Sequence, residues 1–262
     1  MRARVLPAVL LLPATLILAA PASPAPAATA AVRCVPTPEG TLPAASAAGK
    51  AYIVQRDEYN SSAAERACTD GMPDVTVDSS AISVATDGAP GAYTSVFRGC
   101  HWGQCTAGSG LPLAVTTLEA HPWRVRLTET TTWPSGGAWD DSFDIFYTPE
   151  GGSQAGTDLE MMIWLDHGGP VQPAGSVAAS DVRIGAHVYD VWWSGHTVSF
   201  VLTTASTSVT GLGLGKLAAY AVARGYLDSA WTLIDVESGF ELWRGGGGAK
   251  VDSLAVCTPQ GC

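Results

Sequence analysis

Ten short runs rich in β-branched and aromatic residues recur between turn-forming stretches. They are Ala51 to Val54, Val75 to Val77, Ala81 to Ala85, Trp123 to Thr131, Ser142 to Tyr147, Leu159 to Leu165, His187 to Trp193, Thr197 to Thr203, Trp231 to Val236 and Val251 to Val256. Branched and aromatic side chains suit a pleated surface, and Gly, Pro, Asn and Asp close the turns between such runs. The spacing therefore predicts an all-β domain of two packed sheets or a barrel. A single stretch reads as a helix, Gly213 to Tyr226, where Leu214, Leu217, Ala221 and Val222 fall near one stripe and Gly225 marks the stop. Of 262 residues, 47% are hydrophobic and 15% charged, which excludes a disordered chain. The formal net charge is −10 and lysine occurs only at positions 50, 216 and 250, so a nucleic-acid partner is not expected.

The first thirty residues carry Arg2 and Arg4, an apolar run from Val5 to Ala20 and the small-residue end Ala28-Thr29-Ala30. This reads as a secretory signal rather than a membrane anchor, since Pro7 and Pro13 interrupt a run already short for a span. The expected product is secreted, extracellular and free of membrane association. All six cysteines, at positions 34, 68, 100, 105, 257 and 262, lie beyond the signal, and an even count in an exported chain reads as disulfides. Local pairing of Cys100 with Cys105 and of Cys257 with Cys262 is geometrically natural and leaves Cys34 with Cys68, although fifteen connectivities are open. Residues 31–49, rich in Pro, Ala and Thr, read as an extended entry segment, and residues 50–262 as one domain, expected to act as a monomer.

Two carboxylates stand out within this pattern. In Leu159-Glu160-Met161-Met162-Ile163-Trp164-Leu165 the two-residue period puts Leu159, Met161, Ile163 and Leu165 on one face and Glu160, Met162 and Trp164 on the other. Glu237-Ser238-Gly239-Phe240-Glu241-Leu242-Trp243 repeats the arrangement, with Phe240 and Leu242 opposite Glu241 and Trp243, and with Glu237 as a competing acid. An ionised Glu among Met and Trp must be hydrogen-bonded or placed where a ligand needs it. Two partly desolvated Glu side chains near indoles are the equipment of glycoside hydrolysis. One acts as nucleophile or base, and the other keeps a proton because apolar surroundings and a like charge raise its pKa.

Together these motifs resemble the family 12 glycoside hydrolases, secreted endo-β-1,4-glucanases of actinomycetes and fungi. Ser95-Val96-Phe97-Arg98-Gly99-Cys100-His101-Trp102-Gly103-Gln104-Cys105 is similar to that family's disulfide-closed loop, and Phe143-Asp144-Ile145-Phe146 to its Tyr-Asp-Ile-Trp strand. Leu159 to Leu165 resembles its nucleophile strand, followed by the similar loop Gly169 to Pro173, and Gly239 to Trp243 resembles its acid/base strand. Val191-Trp192 and Val198 to Val201 are similar to the strands between them, so the likeness covers about Cys34 to Val256. The resemblance implies a β-jelly roll of two curved antiparallel sheets, with a glucan cleft on the concave one and one helix on the convex side. It implies a retaining reaction without cofactor or metal, with Glu160 as nucleophile, Glu241 as general acid/base and Asp144 orienting the nucleophile. Met162, Trp164 and Trp243 would lie along the cleft floor near the sugar. One segment departs from the family: where an Asn-Asn-x-Trp-Gly-like stretch is usual, this chain has Gln55-Arg56-Asp57-Glu58-Tyr59-Asn60. Tyr59 is left as the stacking surface, and Arg56 and Asp57 change the polarity of that end.

Other chemistries fit less well. The five histidines have no metal-ligand spacing, there is no nucleophile elbow on an α/β pattern, and the glycines at 245–248 open no helix. Trp123, Trp133, Trp139, Trp192 and Trp193 are divided between core and sugar platform without individual assignment. The rival from another class is a non-catalytic carbohydrate-binding jelly roll, which would not need two converging Glu residues.

Overall fold

The computed structural model describes residues 31–149 and 159–262; the expected signal lies outside them. In chain order the strands begin with β1 (Arg33–Cys34), β2 (Glu39–Ala45), β3 (Ala51–Asp57), β4 (Glu65–Thr69), β5 (Val75–Ser80), β6 (Ala92–His101), β7 (Gln104–Cys105) and β8 (Leu113–Ala114). After helix α1 (Val115–Ala120) come β9 (Arg126–Thr132), β10 (Gly137–Thr148), β11 (Leu159–Gly168), β12 (Ser176–Ile184), β13 (His187–Trp193), β14 (Thr197–Leu202) and β15 (Ser208–Gly213). Helix α2 (Leu214–Ala223), β16 (Thr232–Gly245) and β17 (Lys250–Cys257) complete the chain.

These strands form two packed sheets, the jelly-roll sandwich expected from the sequence. The smaller runs β1-β4-β5-β17-β9-β15, and the larger runs β12-β13-β14-β11-β10-β16-β6-β3-β2 with β7 and β8 attached to β6 and β16. Pairing is antiparallel except between β11 and β14, which run parallel. The alternation read in β11 holds, for Leu159, Met161, Ile163 and Leu165 are all in the inter-sheet core. So are Phe143, Ile145 and Tyr147 of β10 and Val236, Phe240 and Leu242 of β16. Helix α2 extends this core where the smaller sheet ends: Tyr220 meets Phe200 of β14 edge-on, and Tyr226, just past the helix, stacks on Trp193 of β13. A second helix, α1, was not expected; its six residues bury only Val115 and Leu118, too few to produce a readable stripe.

The N-terminal segment is also more than an entry arm. Its β1 is tied to β4 by the Cys34–Cys68 disulfide, and β2 edges the larger sheet through a seven-residue register with β3. Proline and alanine made it look unstructured, but an edge strand tolerates Pro43, because one side of it has no ladder to feed. Cys100–Cys105 and Cys257–Cys262 are the other two bridges.

Two polar features interrupt the apolar interior. Glu129 of β9 accepts a hydrogen bond from Ser238 of β16, and Asp141 of β10 accepts from Thr131 (2.6 Å) and Trp133 (2.7 Å), so buried carboxyls bridge the sheets. Arg98 of β6 is fully buried and donates from Nη1 to the carbonyls of Val256 (2.6 Å) and Gly261 (2.9 Å) and from Nη2 to that of Gly108 (3.2 Å). Its guanidinium also faces the Tyr52 ring at 5.7 Å.

Candidate active site

The outer face of the larger sheet carries a cavity of about 940 Å³, lined by residues of β2, β3, β6, β10, β11 and β16. Glu160, Asp144 and Glu241 all line it, from three strands that are neighbours in the sheet. The two-residue period puts them on one face, and β10 brings them together by pairing with β11 on one side and β16 on the other. Asp144 stands opposite Met162 on β11 and opposite Glu237 on β16. Asp144 is buried, whereas Glu160 and Glu241 are both part-exposed toward the cavity.

The two Glu residues have different surroundings. Burial and the charge of Glu237 push the Glu160 carboxyl up, while hydrogen bonds from Thr197 (Oγ1 to Oε2, 3.2 Å) and Asp144 and the facing His101 oppose the rise. Glu241 is driven well above the ordinary carboxylate range by burial, by the charge of Asp140 and by a hydrogen bond in which Glu241 is the donor to it. Asp144 is itself held far up by burial and by the flanking acids Glu160, Glu241 and Glu237. The arrangement therefore favours a proton on Glu241 and on Asp144, and leaves Glu160 as the most readily ionised of the three.

Aromatic side chains border the opening. Tyr59 is 49% exposed and Trp102 57% exposed, and both line the cavity. Tyr59 faces Glu241, Asp144 and Glu160, and burial together with these charges holds its phenol protonated. Tyr93 lies on the floor and donates to the Ser142 carbonyl (3.1 Å). At the β3 end the Arg56 guanidinium is held by Glu58 through Nε (2.8 Å) and Nη2 (2.6 Å). The segment thus adds acidity rather than a free cation: Asp57 lines the cavity and is pushed up to about 6 by burial, Glu237 and Glu39, against the pull of His101.

Residues 50–257 match the profile of Glycosyl hydrolase family 12. The chain belongs to this family. It is 31% identical to a metagenome-derived family 12 endoglucanase, whose structure superposes with a TM-score of 0.75 over 86% of this chain and 97% of that one. The endoglucanase Cel12A of Rhodothermus marinus is 30% identical, with a TM-score of 0.73 over 86% of this chain and 99% of its own. A probable cellulase of Mycobacterium tuberculosis, Cel12b, is 24% identical over 57% of this chain and 97% of its length. The protein is accordingly a family 12 glycoside hydrolase of endoglucanase type.

Within this family 12 site the structure places four of the expected residues in the cleft: Glu160, Glu241, Asp144 and Tyr59. The other three are placed differently. Met162, Trp164 and Trp243 do share the outer face, yet they are 4%, 1% and 3% exposed and none lines the cavity. They form a satellite cluster with Ala138 and Val171, against which Val84 and Val201 also pack. Trp243 additionally donates Nε1 to the Gly88 carbonyl (2.7 Å). Two covering segments explain this: residues 83–90 and the loop that carries Val171 roof that part of the face. The indoles therefore lie on the cleft face beside the cavity, covered by these segments. Of the unassigned tryptophans, Trp139 is core, Trp133 serves Asp141, and Trp123 is exposed beside Lys216.

The sequence reading assigns no role to Trp102, His101, Asp140 or Thr197, and gives Asp57 only an effect on the polarity of its end of the cleft. Trp102 and His101 lie in the disulfide-closed loop 95–105, and that loop was the available signal. Asp140 and Thr197 carry none, because their roles depend on which strands pair. The described residues contain one set of donors close enough to bracket a cation: His101, Asp235 and Glu237, all within 4.8 Å. His101 Nδ1 and a Glu237 oxygen touch directly, an ion pair when the imidazole is protonated.

Proposed function

We propose that the chain is an exported, retaining endoglucanase that cleaves β-1,4-linked glucans, with Glu160 as nucleophile and Glu241 as general acid/base. The observation carrying this reading is the divergence of two carboxyls in one cleft, the one relieved by hydrogen bonds and a facing histidine, the other holding its proton against Asp140. Glu241 gives its proton to the glycosidic oxygen while Glu160 attacks the anomeric carbon. The leaving chain departs, and a glycosyl ester on Glu160 remains. Asp144, protonated, donates to Glu160 and holds the attacking oxygen in line. Glu241, now a carboxylate, then takes a proton from the water that attacks the same carbon, and Glu160 is released.

The endoglucanase and cellulase names of the relatives support a β-1,4-glucan as substrate. An open trough with exposed Tyr59 and Trp102 at its borders suits internal binding of a polymer, since flat rings accept sugar faces. Soluble glucans such as mixed-linkage β-glucan and xyloglucan are the first substrates to assay, followed by cellulose. Three disulfides fit an oxidising, extracellular destination. Proton NMR of the first products from cellopentaose tests the mechanism. Early accumulation of the β-anomer is expected; the α-anomer would show inversion and sink the assignment of Glu160. Wild type without turnover on any of these glucans would favour a carbohydrate-binding module instead.

A further inference from the structure

His101 ends β6, directly after Cys100 and within the loop closed by Cys100–Cys105. Its ring stacks on Phe146 at 4.7 Å and 22°. Phe146 stands in register with Glu160 on one side and with Asp235 on the other, so this stack places the imidazole over the row that contains the nucleophile. Behind the ring, Nδ1 contacts Glu237 Oε1. The second oxygen of Glu237 accepts from Ser95 Oγ (2.7 Å), and Asp235 lies alongside, with a carboxyl oxygen within 4.8 Å of both Glu237 and His101. Glu237 and Asp235 are wholly buried and neither lines the cavity, whereas His101 does.

We propose that Asp235, Glu237 and Ser95 form a buried relay that keeps His101 charged, and that this cation holds Glu160 ionised in an otherwise acidic cleft. His101 is thus a positioning residue that acts through the nucleophile, and this rests on the reading of Glu160 given above. The titratable groups around the imidazole are Glu237 and Asp235 from β16, Asp57 from β3 and Glu160 from β11, with Asp144 of β10 beside Glu237; of these, burial holds Asp235 and Asp144 well above the ordinary carboxylate range and so protonated. All are acids. Of the other basic side chains lining the cavity, Arg56 is already committed to Glu58, and His196 is exposed at the turn before β14. Burial lowers the His101 pKa, but Glu237, Asp57 and Glu160 outweigh it and the net direction is upward. Glu237 moves the opposite way: burial raises it, and His101, Asp235 and Ser95 bring it below its ordinary value. The two shifts agree on a charged pair, and an opposite charge beside Glu160 favours its ionised form.

The test compares pH profiles of kcat/KM on soluble β-glucan for wild type, His101→Gln, Glu237→Gln and the double variant. His101→Gln is expected to move the acid limb, set by Glu160, up by about one unit; Glu237→Gln also removes a like charge from Glu160 and should move it less, and the double variant no further than His101→Gln. The alkaline limb, set by Glu241, should stay in place. Unmoved limbs, a parallel shift of both limbs, or additive shifts in the double variant would overturn the proposal. A second measurement needs no turnover. The imidazole signals of His101 in the wild-type protein should titrate above the ordinary histidine value of about 6.5, and in Glu237→Gln below the wild-type value. A His101 that titrates below the ordinary value refutes the relay even if glucanase activity is normal. Absence of activity beside a raised His101 pKa would refute the assigned reaction and leave the relay standing.

Discussion

At the residue scale the site concentrates acids that water would otherwise keep apart. Asp140, Asp144, Glu160 and Glu241 share one face, and the proton on Glu241 that makes it a donor also relieves repulsion from Asp140. Such a site costs stability. Glu241→Gln and Glu160→Gln should each reduce kcat on soluble glucan by at least about 10²-fold, while the melting temperature stays level or rises. A melting temperature that falls sharply in both would show that these carboxyls are structural. The pair was legible in the sequence because a lone Glu in an apolar strand is conspicuous and the two-residue period fixes its face. The fate of Trp164 and Trp243 was not legible. Periodicity says which face a side chain is on, but it cannot say whether a distant loop covers that face.

At the element scale, β16 is the centre of the molecule, paired to β10 along one edge and to β6 along the other over most of its fourteen residues. Gly239 lies between Glu237 and Glu241 of this strand, where the β6 backbone comes close; a Cβ there would overlap the Thr94 carbonyl and Ser95. Gly239→Ala should therefore destabilise by about 1–3 kcal/mol and displace Glu241, which thermal unfolding and kcat together would reveal. Unchanged values for both would mean that the two strands separate freely. Strand β6 itself escapes the sequence pattern as a strand, since Thr94, Ser95 and Arg98 break the apolar alternation, and each of them has a partner far along the chain. Conversely, Ala81 to Ala85 reads as a strand but makes one bridge, Ser83 to Arg244, because its job is to roof the satellite cluster. Strands with a simple two-faced environment were readable, and those that carry polar side chains into the interior were not.

At the scale of the whole molecule, several buried carboxyls have folded pKa values above their unfolded ones. Burial is the first cause in each case, with Glu65 and Asp141 at about 7 and Asp140 at about 8. A raised acid favours the folded state while protonated. The associated stability is full below the unfolded pKa near 4 and is lost as pH climbs through the folded value. Glu237 opposes this trend, since its pKa is lowered, and it contributes in the other direction. The sum predicts a melting temperature higher near pH 5 than near pH 8, by about 5–10 °C. Asp141→Asn keeps an acceptor for Thr131 and Trp133 and should flatten part of that slope in calorimetry; an equal slope in the variant would remove the inter-sheet pair from the account.

Arg98 has a consequence for how the chain can be handled. By gripping Val256, Gly261 and Gly108 at once, it fastens the tail to the base of the hairpin that presents His101 and Trp102. Deleting the last six residues, or replacing this arginine by methionine, should loosen the rim of the trough some distance away and weaken glucan affinity before the barrel-like body melts. An affinity handle appended after the exposed Cys262 should be harmless, whereas trimming the terminus to tidy a crystal would remove a fastening of the substrate-binding edge.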